Sequence, residues 1–220
     1  MNKALLFFIT LPILISSLAP GGHAATEEKK SLINRIKTRA AEVDTFSCEF
    51  RQERHLKIFS RPVVFKGRLL VDRPDKLRWE FTSPVPSVLV LNNNRGFRCS
   101  PEGRKQEFNL DSDPVMALIA EQLWSWLSGD YQKLQKHYRI TGQSSPPALT
   151  ITPKEAGTAE IIEEIRIQFQ PRILHPSSIT ILEPGGDRTL LFFSNYKLNK
   201  AFTNSLFLNC RGMAGENDCS

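Results

Sequence analysis

An alternation of apolar and polar residues over residues 67–91, GRLLVDRPDKLRWEFTSPVPSVLVL, constrains the fold of this chain most. Leu77, Trp79 and Phe81 alternate there with charged residues, which is the period of a strand with one buried face. Proline-containing turns separate three such runs, and the links are short enough for antiparallel neighbours. The last run, residues 88–91, is apolar on both faces. The stretch therefore predicts three consecutive strands of an antiparallel sheet.

Two residues of this stretch depart from the alternation. Leu70 is apolar on the otherwise polar side of the first strand. Arg73 places a permanent charge in the turn between two apolar strands, directly before Pro74. A charged turn residue is ordinarily solvated, so the pattern alone assigns Arg73 no role.

The remaining sequence extends the sheet and adds two helical segments. Apolar residues at helical spacing predict a helix over residues 26–45, and Asp113 with Pro114 predicts the start of a second helix that runs to Leu127. We expect this second helix to carry Val115, Leu118, Ile119 and Trp126 on one face. The sequence thus predicts about ten or eleven strands and an α+β fold that is mostly β.

A sheet of this length tends to curl, and its concave face then needs a cover. The two helices are available for that purpose. Complete cover gives a packed core, whereas incomplete cover gives an apolar cavity with a lid, and the sequence pattern leaves both open.

The N-terminus predicts export. Residues 1–24 combine Lys3, an apolar run over residues 4–18 and small residues before Ala25, so we expect a signal peptide that is cleaved there. No cysteine lies near that position, which argues against a lipid anchor. Residues 25–220 are then a single domain with a short cysteine-bearing tail, in a soluble periplasmic protein.

The chemistry-bearing residues do not form a recognisable catalytic, metal or nucleic-acid motif. The three histidines outside the predicted signal peptide lie in unrelated contexts, and neither HExxH nor GxSxG occurs. The formal net charge of +6 is spread along the chain, so it argues only weakly for an anionic partner. We therefore expect no enzymatic activity, no cofactor, no metal and no nucleic acid.

Four cysteines in an exported chain suggest disulfides. Cys210 and Cys219 close a short loop and are the candidate pair. Cys48 and Cys99 lie in strand contexts, where they either pair across the sheet or stay as buried thiols.

Three motifs stand out along the chain: the Arg73-Pro74 turn followed by Leu77-Arg78-Trp79, FSCEFRQ at residues 46–52, and DPVMALI at residues 113–119. Together they resemble the periplasmic outer-membrane lipoprotein carrier (LolA) family. The resemblance covers roughly residues 45–208 and is most specific over residues 46–91.

This resemblance implies an unclosed antiparallel β-barrel whose α-helical lid encloses a hydrophobic cavity for acyl chains. In that reading Arg73 latches the lid through hydrogen bonds to helix backbone, and Val115, Leu118, Ile119 and Trp126 belong to the lid. The implied cavity wall consists of Phe46, Phe50, Phe65, Leu69, Val71, Leu77, Trp79, Phe81, Val88 and Val90.

The function implied by the resemblance is a monomeric periplasmic chaperone that ferries lipoproteins from the inner to the outer membrane. Its partners would be acylated lipoproteins, an inner-membrane lipoprotein-releasing ABC transporter and an outer-membrane acceptor. The cysteines and Leu77, where an aromatic is more typical, depart from the family pattern. Two alternatives stay open: a carrier of another lipid, such as a glycolipid or acylated metabolite, and a lipid-sensing or lipoprotein-sensing regulator of the same half-barrel fold.

Overall fold

The computed structural model describes residues 21–127, 129 and 131–211. Its helices are α1 (Gly21–Ala41), α2 (Pro114–Leu127), α3 (Tyr131–Leu134), α4 (Ala156–Ala159) and a 3-10 helix (Asn204–Phe207). Its strands are β1 (Thr45–His55), β2 (Val63–Asp72), β3 (Lys76–Ser83), β4 (Ser87–Asn92), β5 (Arg95–Cys99), β6 (Lys105–Asn109), β7 (Tyr138–Ser144), β8 (Pro147–Pro153), β9 (Glu164–Phe169), β10 (Pro176–Leu182) and β11 (Arg188–Leu198).

These eleven strands form one antiparallel sheet in the order β6-β5-β4-β3-β2-β1-β11-β10-β9-β8-β7. Sequential strands pair except β6 with β7, and the first and last strands of the chain pair with each other, Phe50 opposite Phe193. β6 and β7 are the two edges, and α2 and α3 connect them along the chain. The expected mostly β, unclosed antiparallel architecture of ten or eleven strands is confirmed.

The concave face of this sheet surrounds one hydrophobic core. Buried side chains from strands at both ends of the sheet, such as Leu77 in β3 and Ile167 in β9, belong to a single cluster. α1 adds Leu32, Ile33 and Ile36 to it at helical spacing. A flat sheet could not bring these strands together, so the sheet curves around α1, α2 and α3.

Local capping explains where α2 begins. The Asp113 carboxylate accepts a hydrogen bond of 3.0 Å from the backbone N–H of Met116, and Pro114 occupies the first helical position. This is the start that the sequence predicts.

Two local predictions differ from the structure. The apolar residues Leu206 and Leu208 around Phe207 predict a short strand over residues 206–208, but Leu206 and Phe207 lie in the 3-10 helix, where the N–H groups of Leu206 and Leu208 bond to the carbonyls of Thr203 and Ser205. The N-terminal helix begins at Gly21 and ends at Ala41, because β1 already starts at Thr45. Residues 1–20 of the predicted signal peptide lie outside the described residues.

Candidate functional site

Aromatic side chains line one part of the concave face. The ring of Phe50 lies 5.3 Å from that of Trp79 and 5.2 Å from that of Phe81, and Phe81 lies 5.9 Å from Phe65. β1, β2 and β3 contribute these rings, and the register places Leu69 opposite Trp79 on the same face. The alternating side chains of β3 thus place Trp79 and Phe81 in one aromatic surface with Phe50 and Phe65.

Gly67 permits this arrangement. A Cβ atom at this position would lie 2.5 Å from the ring of Phe50 and 2.0 Å from the carbonyl oxygen of Glu80. The Phe50 ring therefore lies across β2 only because residue 67 has no side chain.

Exposure along the concave face increases toward one end of the strands. Five predicted wall residues are at most 3% exposed, namely Phe46, Phe50, Leu69, Val71 and Leu77. Three others, Phe65, Trp79 and Phe81, are partly buried, as are Ile162, just before β9, and Ile181 in β10. We call this end, defined by these five partly buried residues, the mouth. The concave face is thus a packed core at the closed end and an accessible apolar surface at the mouth.

Trp79 carries an unusual polar atom at the mouth. Its indole Nε1–H is buried and has no hydrogen-bond partner among the described residues. A buried donor without an acceptor destabilises a protein by about 1–3 kcal/mol. An acceptor that entered the mouth would remove this penalty.

Arg73 reaches from the β2–β3 turn to the end of α2. Its Nη2 donates a hydrogen bond of 2.8 Å to the backbone carbonyl of Leu127. Its backbone N–H donates one of 2.9 Å to the backbone carbonyl of Asp44. The last carbonyls of a helix have no partner within the helix and carry its partial negative charge, so a guanidinium is a suitable donor. Burial lowers the Arg73 pKa and nearby Asp44 raises it. Arg73 therefore joins the β2–β3 turn to the C-terminal end of α2.

The face of α2 that packs on the core differs from the predicted one. Met116 and Ala120 are buried, while Leu123, Trp124 and Leu127 are partly buried against the core. These residues repeat at three and four positions, as a packed helical face must.

Among the predicted lid residues, Val115 is therefore a correction. It is 65% exposed because it lies beside the packed face of α2. Ile119 is partly buried. The side chains of Leu118 and Trp126 lie outside the described residues.

Val88 and Val90 do not belong to the concave wall, which corrects a second prediction. The register pairs Val90 with Arg78 and Val88 with Glu80, so these four side chains share the outer face of the sheet. The concave position in this part of β4 is taken by Leu91, opposite Leu77. Because β4 is apolar on both faces, its sequence could not say which valines or leucines face inward.

The outer face at β3 to β5 is covered by the C-terminal segment. Val88 and Val90 form a second hydrophobic cluster that contains Leu70, Phe97 and Phe207. Leu70, the exception to the alternation in β2, is thereby explained, since both faces of that strand are covered.

Arg78 fastens this segment and is fully buried. Its Nη1 donates to the carbonyls of Leu206 and Asn209 at 2.9 and 3.0 Å, its Nη2 donates to that of Arg211 at 3.0 Å, and its Nε donates to the Glu80 carboxylate at 3.2 Å. The sequence reasoning treated Arg78 and Glu80 as the polar side of a half-buried strand. Apolar Leu70 beside them was the signal that this side is covered.

The disulfide differs from the candidate pair. Cys210 is bonded to Cys99, with their Cα atoms 5.7 Å apart, and not to Cys219, which lies outside the described residues. The loop proposal considered only sequence proximity, whereas the C-terminal segment folds back over β5. Cys48 is a buried thiol.

The buried ionisable groups of the core serve packing. Burial raises the pKa of the Cys48 thiol to about 12, which makes it a poor nucleophile. Burial lowers the pKa of His175, whose ring packs 5.3 Å from both Phe46 and Tyr196. Within residues 21–127, 129 and 131–211, no group of three or more histidine, cysteine or acidic side chains is placed to hold a metal ion. In the same part of the chain, no helix has the length and apolar character of a membrane span.

Comparison with known proteins assigns this architecture to a family. The family model described as "Outer membrane lipoprotein carrier protein LolA" matches residues 41–210. An outer-membrane lipoprotein carrier protein from Coxiella burnetii (strain RSA 331 / Henzerling II) is 24% identical over 206 residues, which cover 88% of this chain and 86% of that protein. One from Pseudomonas putida (strain W619) is 22% identical over 146 residues, or 64% of each chain.

Two solved structures share the fold. An uncharacterized conserved protein from Thermus thermophilus matches with a TM-score of 0.52 and 10% identity, over 84% of this chain and 95% of that one. The MucA/MucB complex structure from Pseudomonas aeruginosa matches with a TM-score of 0.51 and 14% identity, over 83% of this chain and 62% of that one. The family match spans most of the chain, including the aromatic face and Arg73, and the chain therefore belongs to the LolA family of outer membrane lipoprotein carrier proteins.

Proposed function

We propose that this protein carries lipoproteins by shielding their acyl chains in the interior of the half-barrel, between the sheet and helices α1 and α2. The proposal extends to transport from the inner to the outer membrane, in the periplasm, after cleavage of residues 1–24. An inner-membrane lipoprotein-releasing ABC transporter and an outer-membrane acceptor are the partners that this role requires. The protein needs no catalytic chemistry for it.

The observation that carries the proposal is the graded exposure of the concave face. Phe65, Trp79 and Phe81 are partly accessible at the mouth, whereas Leu77 and Val71 behind them are fully buried. An acyl chain that enters at the mouth contacts the aromatic side chains first. Deeper in the interior, it replaces apolar contacts between protein side chains with apolar contacts between those side chains and the chain itself.

The unpartnered N–H of Trp79 supports the same ligand class. Acyl chains of lipoproteins are joined through ester or amide carbonyls, which are hydrogen-bond acceptors. A carbonyl that follows its chain into the mouth would satisfy this donor, which a pure hydrocarbon cannot do.

A carrier must also release its cargo, and the Arg73 contact suits this need. Burying an acyl chain is worth about 0.8 kcal/mol per CH₂ group, or on the order of 10 kcal/mol for a whole chain. A lid held mainly by a few hydrogen bonds opens at a much smaller cost. The hydrogen bond from Arg73 to Leu127 therefore controls access to the interior, and breaking it costs much less free energy than burial of the acyl chain provides.

Release of a lipoprotein from spheroplasts tests the proposal. Purified mature protein is added to spheroplasts that accumulate a triacylated lipoprotein, and the supernatant is assayed for the lipoprotein bound to it. We expect release in proportion to added protein. No release above the level given by an unrelated periplasmic protein contradicts the proposal.

A matched pair of variants makes this assay specific. Phe81→Glu places a charge at the mouth and should abolish release. Phe192→Glu places the same charge on the outer face, where Phe192 is already 40% exposed, and should leave release unchanged. Equal loss in both variants would mean that the effect is not at the mouth.

A second candidate function is a lipid-sensing or lipoprotein-sensing regulator of the same half-barrel fold, a fold that is shared with a structure of a MucA/MucB complex. Affinity capture from the native membrane separates the two functions, since a regulator recovers a transmembrane protein in place of lipoproteins. Mass spectrometry of the co-purified lipid distinguishes a lipoprotein carrier from a carrier of glycolipids or acylated metabolites.

A further inference from the structure

The loops at the mouth end of the sheet form a distinct surface. The pairings of Arg54 with Val63, Lys66 with Ser83, and Cys99 with Lys105 place the β1–β2, β3–β4 and β5–β6 turns at the same end of their strands. We call residues 56–62, 84–86 and 100–105 the mouth rim. Any surface that cargo leaves or enters must approach this rim.

The mouth rim exposes large apolar side chains. Ile58 is 82% exposed, and Phe59 and Val85 are each 54% exposed. The loop that carries Ile58 and Phe59 is held by backbone bonds, from Phe59 N–H to the Leu56 carbonyl at 2.9 Å and from Lys57 N–H to the Asp187 carboxylate at 2.9 Å. These side chains therefore project from an ordered turn.

Basic side chains surround the apolar ones. The three rim segments contain the cations Lys57, Arg61, Arg104 and Lys105, all exposed, and the single carboxylate Glu102. Glu102 lies 3.5 Å from Arg104. The three rim segments thus carry a formal charge of +3, and the β10–β11 turn at the same end of the sheet adds Glu183, which pairs with Arg54, and Asp187, which accepts the backbone N–H of Lys57.

A groove of about 600 Å³ continues this pattern beside the rim. Phe81, Val88 and Leu89 contribute its apolar lining, and Arg98, with Arg104 and Lys105 of the rim, contributes the cations. Lys105 also lies 4.4 Å from the centre of the Phe97 ring and 2.7 Å from Glu107. Apolar side chains and three cations therefore line the same groove beside the rim.

We propose that the mouth rim is a contact surface for an anionic lipid bilayer. Ile58 and Phe59 insert into the interfacial region, and Lys57, Arg61, Arg104 and Lys105 bind phosphate groups of the lipid heads. Apolar side chains on turns, with Lys57 and Arg61 beside Ile58 and Phe59, match a surface with a charged layer over an apolar layer. The proposal rests on the proposed function for the meaning of the mouth, but it requires no particular cargo.

Vesicle sedimentation tests this proposal in the absence of any protein partner. The mature protein is mixed with extruded vesicles of phosphatidylethanolamine and phosphatidylglycerol, or of phosphatidylcholine alone. We expect binding to the anionic vesicles, weakening as salt is raised, and little binding to the neutral ones. Wild-type protein that binds neither vesicle, or both equally, overturns the proposal.

Substitutions on the rim locate the contact. The double variant Ile58→Asp with Phe59→Asp should bind at least tenfold more weakly. Lys57→Gln with Arg61→Gln should bind roughly 25-fold more weakly, at about fivefold for each basic residue near an anionic surface. Phe192→Asp is the control, because Phe192 is 40% exposed on the outer face inside β11 and not on a loop at the mouth end, and it should bind like wild type. Equal loss with the control overturns the assignment to the rim.

A fluorescent fatty-acyl probe, added without vesicles, separates this proposal from the proposed function. The rim variants should bind the probe like wild type. Wild-type protein that binds the probe but no vesicle refutes the membrane contact and leaves the carrier function standing. Binding to native membranes but not to protein-free vesicles assigns the rim to a protein and also overturns the proposal.

Discussion

Replacing Arg73 should loosen α2 by a predictable amount. The Arg73→Leu variant loses the 2.8 Å charged hydrogen bond to the Leu127 carbonyl. Hydrogen bonds of charged groups contribute about 1.5–3 kcal/mol, and each 1.4 kcal/mol is a factor of ten in an equilibrium constant, so the open population should rise roughly 10- to 150-fold. We expect the variant to bind lipoprotein but to transfer it poorly, because the lid no longer returns to one closed state.

Hydrogen exchange of the α2 amides measures this change directly. Exchange of the backbone amides of Pro114–Leu127 should accelerate by the same factor, while the amides of β9 and β10 stay protected. Arg73→Lys should give an intermediate effect, since it keeps the charge and loses the guanidinium geometry. Arg172→Leu is the control, because Arg172 is an exposed turn arginine. Unchanged protection of α2 in Arg73→Leu would refute the latch.

Three further predictions concern the buried groups. Arg78→Met should lower the free energy of unfolding by about 3–5 kcal/mol, because Glu80 is left buried without its cation; urea titration tests this, and adding Glu80→Gln should restore part of the loss. Cys210→Ser should lower the free energy of unfolding by about 2–5 kcal/mol, since the disulfide to Cys99 spans 111 residues; faster amide exchange over residues 202–210 should accompany it, and unchanged exchange there would contradict a role of the disulfide in holding this segment. Burial lowers the folded-state pKa of His175 below its ordinary value of 6.5. The stability that the neutral imidazole contributes is therefore fully present above pH 6.5 and is lost as the pH falls below that value. Urea midpoints at pH 7.5 and 5.5 should therefore differ less in His175→Gln than in wild type, and an equal difference would count against this sign.

The fold could be predicted from sequence because β-strand periodicity is a local property. Residues 67–91 alternate with period two, and the three strands appear where the pattern places them. The cap at Asp113 is equally local. The family pattern then supplied the position of Arg73 relative to the lid, which no local rule provides.

The outer face could not be predicted, because it depends on contacts between distant segments. Arg78 receives its partners from residues 206–211, and Cys99 from residue 210, more than 100 positions away. The sequence did contain two signs of this cover, Leu70 on the polar side of β2 and the two-sided apolar pattern of β4. Neither sign says which distant segment provides the cover.

Photo-crosslinking shows directly whether acyl chains enter the half-barrel at the mouth. A benzophenone amino acid is placed at position 81 or at position 192, the protein is irradiated in the native periplasm, and the adducts are identified by mass spectrometry. We expect acyl-chain adducts of lipoproteins at position 81 and none at position 192. Equal labelling at both positions, or adducts at position 81 that contain only protein, would contradict entry at the mouth.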